Sequence, residues 1–248
     1  MEVVAKKNDP PEIVLSRSAI EEFIRCPRCF YLHRRRGLKP PSMIPLTLAV
    51  ATDALLKNEF DAIRASGADH PIWRRENLNV EAYSNPHIDE WRNNRKGIRI
   101  KHAQTGATIF GAVDDIWRNK ESEDLHVVDY KSTSKRDVPS LEGGFGDSYK
   151  RQMDIYQWLL DRAGYPVNQI GFFLYVNGVK DGGFFDGTTG RMFFTTTLIP
   201  YRGDTSWVDE TVSNAVSCFQ SDQIPRTQGE CDTCRYVTDR SVVTADLT

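Results

Sequence analysis

Between residues 108 and 132 two apolar, strand-like runs flank a short polar connection, and each run carries an aspartate in its interior. Thr108 to Trp117 reads TIFGAVDDIW, Leu125 to Ser132 reads LHVVDYKS, and Asn119 to Asp124 joins them. Folded as an antiparallel hairpin centred between Glu121 and Ser122, these runs place Asp114 directly opposite Asp129. Cβ atoms at such positions lie roughly 4.5–5.5 Å apart on one face of a sheet. Lys131, two residues further on, points to that same face. Two facing carboxylates repel unless a cation or proton lies between them. A hard divalent ion with oxygen ligands is the natural occupant, and Mg²⁺ commonly uses one or two protein carboxylates. A lysine beside it can hold a phosphate oxygen, orient water or stabilise developing negative charge. The competing reading is a pair of solvated aspartates at frayed strand ends. Against it, Asp129 follows Val127 and Val128 in an apolar run, where aspartate is a poor strand former. Asp115 points to the opposite face and reads as structural.

The rest of the chain supplies helices around this hairpin. Residues 1–13 read as a loose tail. A helix is expected from Ser18, capped by a Ser18/Glu21 box, with Ile20, Phe23, Ile24 and Phe30 inward and a stop by Gly37. A second helix runs from about Leu46 to Ala65 and ends at Gly67. Its Leu48, Leu55, Leu56, Phe60 and Ile63 suit one buried stripe. Residues 68–97 are polar and irregular. Strand patterns cover 98–102, 108–117, 125–132, 169–177 and 191–199, with helices over 149–163 and 206–220. That order predicts an α/β domain with a mixed central sheet flanked by helices.

Two C-x-x-C pairs lie far apart in sequence, Cys26 and Cys29 in CPRC, Cys231 and Cys234 in CDTC. Together they can supply a four-thiolate site, suited to zinc or an iron–sulfur cluster; the alternative is four buried reduced thiols. Residues 14–40 and 225–236 would then form a clasp joining the two ends of a single domain, 14–248. Cys218 reads as a small core residue.

The net charge of −2 excludes a strongly basic, nucleic-acid-coating protein. Local basic groups remain at Arg34, Arg35, Arg36 and Lys39, and at Arg92, Arg95, Lys96, Arg99 and Lys101; such runs are usually solvated faces. No apolar stretch approaches the ~20 residues of a membrane span. The start, MEVVAKKNDPPE, lacks a secretory apolar segment, and a cytoplasmic location is expected.

GAVDDIW followed by VVDYKST, and then by YKRQMDIYQWLL, resembles the motif order of the PD-(D/E)XK nucleases, particularly the RecB-type and CRISPR-associated exonuclease branch. The matching positions are Gly111 and Asp114, then Asp129 and Lys131, then Gln152 and Tyr156. The last two are four apart and share a helical face; taken alone they would read as an amphipathic helix with Tyr156 in the core. The resemblance implies a restriction-endonuclease-like fold and a metal bound by Asp114, Asp129 and the backbone carbonyl of Tyr130. It implies that Gln152 orients substrate or lysine. Many members of the branch add a histidine from an early helix; here that helix has none, and Asp53 occupies about its place, with Glu59 and Asp61 as weaker candidates. Several RecB-type nucleases hold a [4Fe–4S] cluster with one cysteine before the core and three after. The two-and-two arrangement departs from this and leaves both the cluster and Zn²⁺ open, the resemblance favouring the cluster. The implied activity is Mg²⁺- or Mn²⁺-dependent hydrolysis of single- or double-stranded DNA, as an exonuclease in repair, recombination or CRISPR-type processing. A helicase or another repair or adaptation subunit would be a partner. Two further readings compete, a non-catalytic nucleic-acid-binding subunit of the same fold and a zinc-stapled scaffold.

Overall fold

A computed structural model of the chain describes residues 12–41, 44, 46–185, 187–227 and 231–245. Most of the expected tail therefore lies outside the described residues, as do residues 228–230 of the carboxyl-side clasp segment. Glu12 and Ile13, assigned to that tail from sequence, are already tied down. The Thr108 hydroxyl donates to Glu12 at 2.6 Å and the Thr108 N–H to the Ile13 carbonyl at 2.8 Å.

The strands form two sheets rather than the single one expected. In the three-stranded sheet, β1 (Val14–Ser16) runs parallel to β4 (Thr108–Gly111), which pairs antiparallel with β3 (Ile98–Lys101). The five-stranded sheet has the order β2 (Val80–Ala82), β5 (Asp115–Asn119), β6 (Leu125–Thr133), β7 (Ile170–Gly178), β8 (Phe194–Arg202). Here β6 and β7 are parallel and the other pairs antiparallel, so both sheets are mixed. Parallel neighbours need a long crossover, which α6 (Gly146–Arg162) supplies between β6 and β7.

The run 108–117 is thus two strands in two sheets, with residues 112–114 crossing between them. Alternation along the five-stranded sheet sends Val127 and Phe173 to one face and Val128, Phe172 and Leu174 to the other. The first face packs on α1 (Arg17–Arg25), α6 and α7 (Val208–Gln220) through Ile20, Met153, Leu159 and Val212. The second packs on α3 (Thr47–Ser66) and α4 (Pro71–Arg75), where Phe60, Trp73, Trp117 and Tyr130 form an aromatic core.

Three local expectations change. Ser16, not Ser18, caps α1, its hydroxyl accepting from the Ala19 N–H at 3.1 Å; Glu21 instead binds Arg151 at 2.7 Å and ties α1 to α6. After Cys26 the chain breaks into the short α2 (Pro27–Phe30) and a π-helical turn, Tyr31–Arg35. In α3 only the later apolar positions turn inward. Phe60 is buried and Leu56 and Ile63 pack beside it, whereas Leu48 and Leu55 are 72% and 66% exposed. Residues 68–97 hold α4, β2 and the short helix α5 (Ile88–Trp91). A last helix, α8 (Asp232–Ala245), follows Cys231 and buries none of its residues. Among the described residues no helix is long and apolar enough to cross a membrane.

Candidate active site and cysteine cluster

Gly111 ends β4 where the chain leaves one sheet for the other. A Cβ there would meet the Tyr156 ring at 2.8 Å and Leu159 at 2.9 Å; glycine lets α6 press onto the crossing. The β5–β6 ladder has the expected register, its last pair being Asp115 with Val128. Asp114 stands one residue beyond, alongside Asp129, and its Oδ2 accepts the Tyr130 N–H at 2.8 Å.

Asp129 is wholly buried within β6. Its Oδ1 accepts from Gln152 Nε2 at 2.8 Å, and its Oδ2 faces the Lys131 ammonium in a short ion pair. Gln152 closes a ring, since its Oε1 accepts from Lys131 Nζ at 3.3 Å and its Nε2 also reaches the Tyr156 hydroxyl at 3.0 Å. Lys131 Nζ lies 4.4 Å from the centroid of the Tyr149 ring, a cation–π arrangement. The structure therefore brings together Asp114, Asp129, Lys131, Gln152 and Tyr156.

The electrostatics are those of a site short of positive charge. Burial, and then the Asp129 carboxylate, push the Asp114 carboxyl up to about 7, although Lys57, Lys131 and the Tyr130 N–H act the other way. Burial alone would lower Lys131, but the Asp129 and Asp114 carboxylates outweigh it and the net shift is upward. The Asp129 Oδ2 is buried against the Lys131 ammonium, and the Asp114 carboxylate stands alongside. Carboxylate oxygens so placed fit a hard divalent cation.

Asp53 is joined to these groups through Lys57. Its Oδ2 holds Lys57 Nζ at 2.9 Å, and it is Lys57 that approaches Asp114, at 3.6 Å from Oδ1. Glu59 pairs with His70 at 2.9 Å, and Asp61 pairs with Arg64 and with Arg92 at 2.6 Å, both away from the carboxylate pair. Behind the site, Asp115 accepts from Arg64 at 2.5 Å and from the Tyr130 hydroxyl at 2.9 Å, with Arg92 2.8 Å away. Sequence reasoning missed Lys57 and Arg64. The available signal for Lys57 was its i,i+4 spacing from Asp53 on one helix. Arg92, from the second basic run, is thus internal rather than a solvated face.

The four paired cysteines converge. Sγ–Sγ separations are 3.8 Å for Cys26–Cys234 and 3.6 Å for both Cys29–Cys231 and Cys29–Cys234, and all four sulfurs lie within 4.8 Å of one another. Cys26 caps α2, with its sulfur 3.5 Å from the Cys29 N–H. Cys231 and Cys234 stand in the first turn around α8, where the Arg235 N–H bonds the Cys231 carbonyl at 2.9 Å. Burial and the neighbouring thiols drive Cys29 up. Burial pushes Cys231 the same way, but hydrogen bonds, led by the Cys234 N–H, bring it down to about 7. Cys218 stays apart, half-buried against the core, its thiol donating to the Pro27 carbonyl at 3.8 Å.

A model of the PD-(D/E)XK nuclease superfamily matches residues 14–238, nearly the whole chain. No curated protein matches it.

Proposed function

This chain belongs to the PD-(D/E)XK nuclease superfamily, and from that premise we propose that it is a Mg²⁺- or Mn²⁺-dependent nuclease hydrolysing DNA phosphodiester bonds. The observation that carries the reading is the closed ring of Asp129, Lys131 and Gln152, with Asp114 set against it by the Tyr130 N–H. Asp114, Asp129 and the Tyr130 carbonyl would hold the ion. When bound, such an ion supplies Lewis acidity and a more acidic water.

The chain's own groups do the rest. Water attacks phosphorus, the bond to the leaving oxygen breaks, and negative charge grows on the non-bridging oxygens. Lys131, held at full charge between two carboxylates, stabilises that charge. Gln152 fixes the lysine and Asp129 in one geometry, and Tyr156 fixes Gln152. The RecB-type motif order supports an exonuclease working in repair, recombination or CRISPR-type processing, beside a helicase or another subunit.

At the cysteines the reading is a single Zn²⁺. Tetrahedral zinc with Zn–S bonds of ~2.3 Å sets its sulfurs ~3.8 Å apart, which the separations of 3.6–3.8 Å support. A four-iron cubane, with one cysteine on each of four irons, would hold its cysteine sulfurs farther apart than a single ion does. Elemental analysis should give one zinc per chain and no visible charge-transfer absorption; stoichiometric iron would refute this assignment.

The direct test is cleavage of end-labelled single- and double-stranded DNA with Mg²⁺, Mn²⁺ or EDTA. Metal-dependent cleavage by the wild type should be lost, by about 10²-fold or more, in Asp114→Asn, Asp129→Asn and Lys131→Ala. Cleavage surviving all three substitutions would overturn the site. DNA binding by fluorescence anisotropy without cleavage by the wild type would favour a non-catalytic subunit.

A further inference from the structure

We propose that Lys57 is a resident counter-cation of the metal site, which neutralises Asp114 while no ion is bound and is kept by Asp53 when one enters. The inference rests on the reading of Asp114 and Asp129 as ligands of the ion.

The geometry is that of a bridge. Lys57 Nζ lies 2.9 Å from Asp53 Oδ2 and 3.6 Å from Asp114 Oδ1, so one ammonium is shared by two carboxylates on different elements. Its side chain is only 23% exposed. Asp53 and Lys57 lie one turn apart on α3, so the pair is built into a single helix face. The nearer contact is with Asp53, which leaves the lysine a partner if its hold on Asp114 is broken. In this arrangement Asp53 is joined to Asp114 through Lys57.

Charge counting gives the consequence. With every carboxyl ionised, as a bound cation requires of its ligands, Asp53, Asp114 and Asp129 face Lys57 and Lys131, one negative charge in excess. A divalent ion reverses this to one positive charge in excess, which the single charge of a phosphodiester then cancels. Without Lys57 the loaded site would be neutral before the phosphodiester arrives and negative afterwards. Lys57 therefore weakens the grip on the ion in the free protein and makes the loaded site attractive to the backbone of a nucleic acid. It is a positioning residue whose effect is carried by its charge.

The experiment is Mn²⁺ titration by isothermal calorimetry on the full chain with its cysteine site loaded, comparing wild type, Lys57→Gln, Lys57→Arg and Asp114→Asn. Removing an ammonium a few ångströms from the ion should tighten Mn²⁺ binding about tenfold in Lys57→Gln, even after dielectric screening. Lys57→Arg, which keeps the charge, should stay within about threefold of wild type. A merely structural lysine would leave the affinity unchanged or lower it in Lys57→Gln, and either result overturns the proposal. Wild-type Mn²⁺ affinity in Asp114→Asn would instead refute the ligand assignment beneath it. Loss of binding in Asp114→Asn without tightening in Lys57→Gln would sink the role of Lys57 alone.

Discussion

Replacing Gly111 by alanine should damage stability and cleavage together, because Tyr156, which crowds this glycine along with Leu159, is hydrogen-bonded to Gln152 of the proposed site. The added Cβ would stand 2.8 Å and 3.1 Å from two carbons of the Tyr156 ring and 2.9 Å from a methyl of Leu159. Favourable carbon–carbon contacts lie at ~3.5–4.0 Å, so each overlap is about half an ångström or more. Neither neighbour can yield easily. Leu159 is completely buried, and Tyr156 is nearly so and bonded to Gln152 through its hydroxyl. Overpacking of this kind costs ~1–3 kcal/mol. For a chain of this size each kcal/mol moves the midpoint by ~2–4 °C, so a fall of roughly 2–12 °C is expected in thermal unfolding. The helix that relieves the overlap also carries Gln152. A shift of half an ångström there should lower the single-turnover cleavage rate about tenfold, given that a full ångström costs ~10²-fold. An alanine variant with the wild-type midpoint and the wild-type rate would refute the claim that the glycine sets the distance between α6 and the site.

Three other outcomes follow from the same geometry. The carboxyl of Asp114 titrates near 7 in the folded chain and near its ordinary 3.8 when unfolded. The folded state thus holds a proton that the unfolded state releases, and metal-free stability should fall as pH rises through that window. In EDTA, Asp114→Asn should be the more stable protein at pH 8 and lose that advantage at pH 4; no such gap in the unfolding midpoints would contradict the assignment. Arg92→Ala removes one of two guanidiniums from the fully buried Asp115 and should cost about 3 kcal/mol in urea unfolding, with Asp115→Asn in the same background recovering part of it. The double substitution Cys26→Ser/Cys29→Ser, which removes both amino-side thiols, opens a loop spanning up to 208 positions. Closing such a loop removes up to ~5 kcal/mol of chain entropy from the unfolded state, so a clear drop in midpoint is expected, and a midpoint unchanged by the substitution would mean that no ion bridges the pairs.

The register of the β5–β6 hairpin was readable because Asn119 to Asp124 is a turn with no competing centre. The observed pairing of Asp115 with Val128 follows directly from it. What sequence periodicity could not reveal is that 108–117 serves two sheets. Both halves are apolar, and a strand that changes partners at Ala112 keeps the same alternation as one that does not. The α3 stripe failed for a related reason. Leu48 and Leu55 have helical spacing to Phe60, but in the early turns of α3 it is Thr52, bonded to Ser132 of β6, that faces the sheet, so pattern without a partner left the two leucines exposed. Ser16 and Ser18 are equally good caps by type, and the hydroxyl nearer the end of β1 won. At the site, the aspartates and lysine were legible because charge inside an apolar strand is costly. Lys57 was not, because a lysine on a helix looks solvated until the fold supplies Asp114 above it.

The crossing at residues 112–114 gives the carboxylate pair a mechanical meaning. Asp129 is embedded in β6, and Asp114 is the last residue of the crossing, one short of β5 in the same sheet. A cation gripped by both would pin the far end of the crossing to the interior of the five-stranded sheet, with β4 only three residues upstream. Loading should therefore be felt away from the ion, as slower amide exchange along the short three-stranded sheet. The ion would then act as a clamp on the passage of the chain from one sheet to the next.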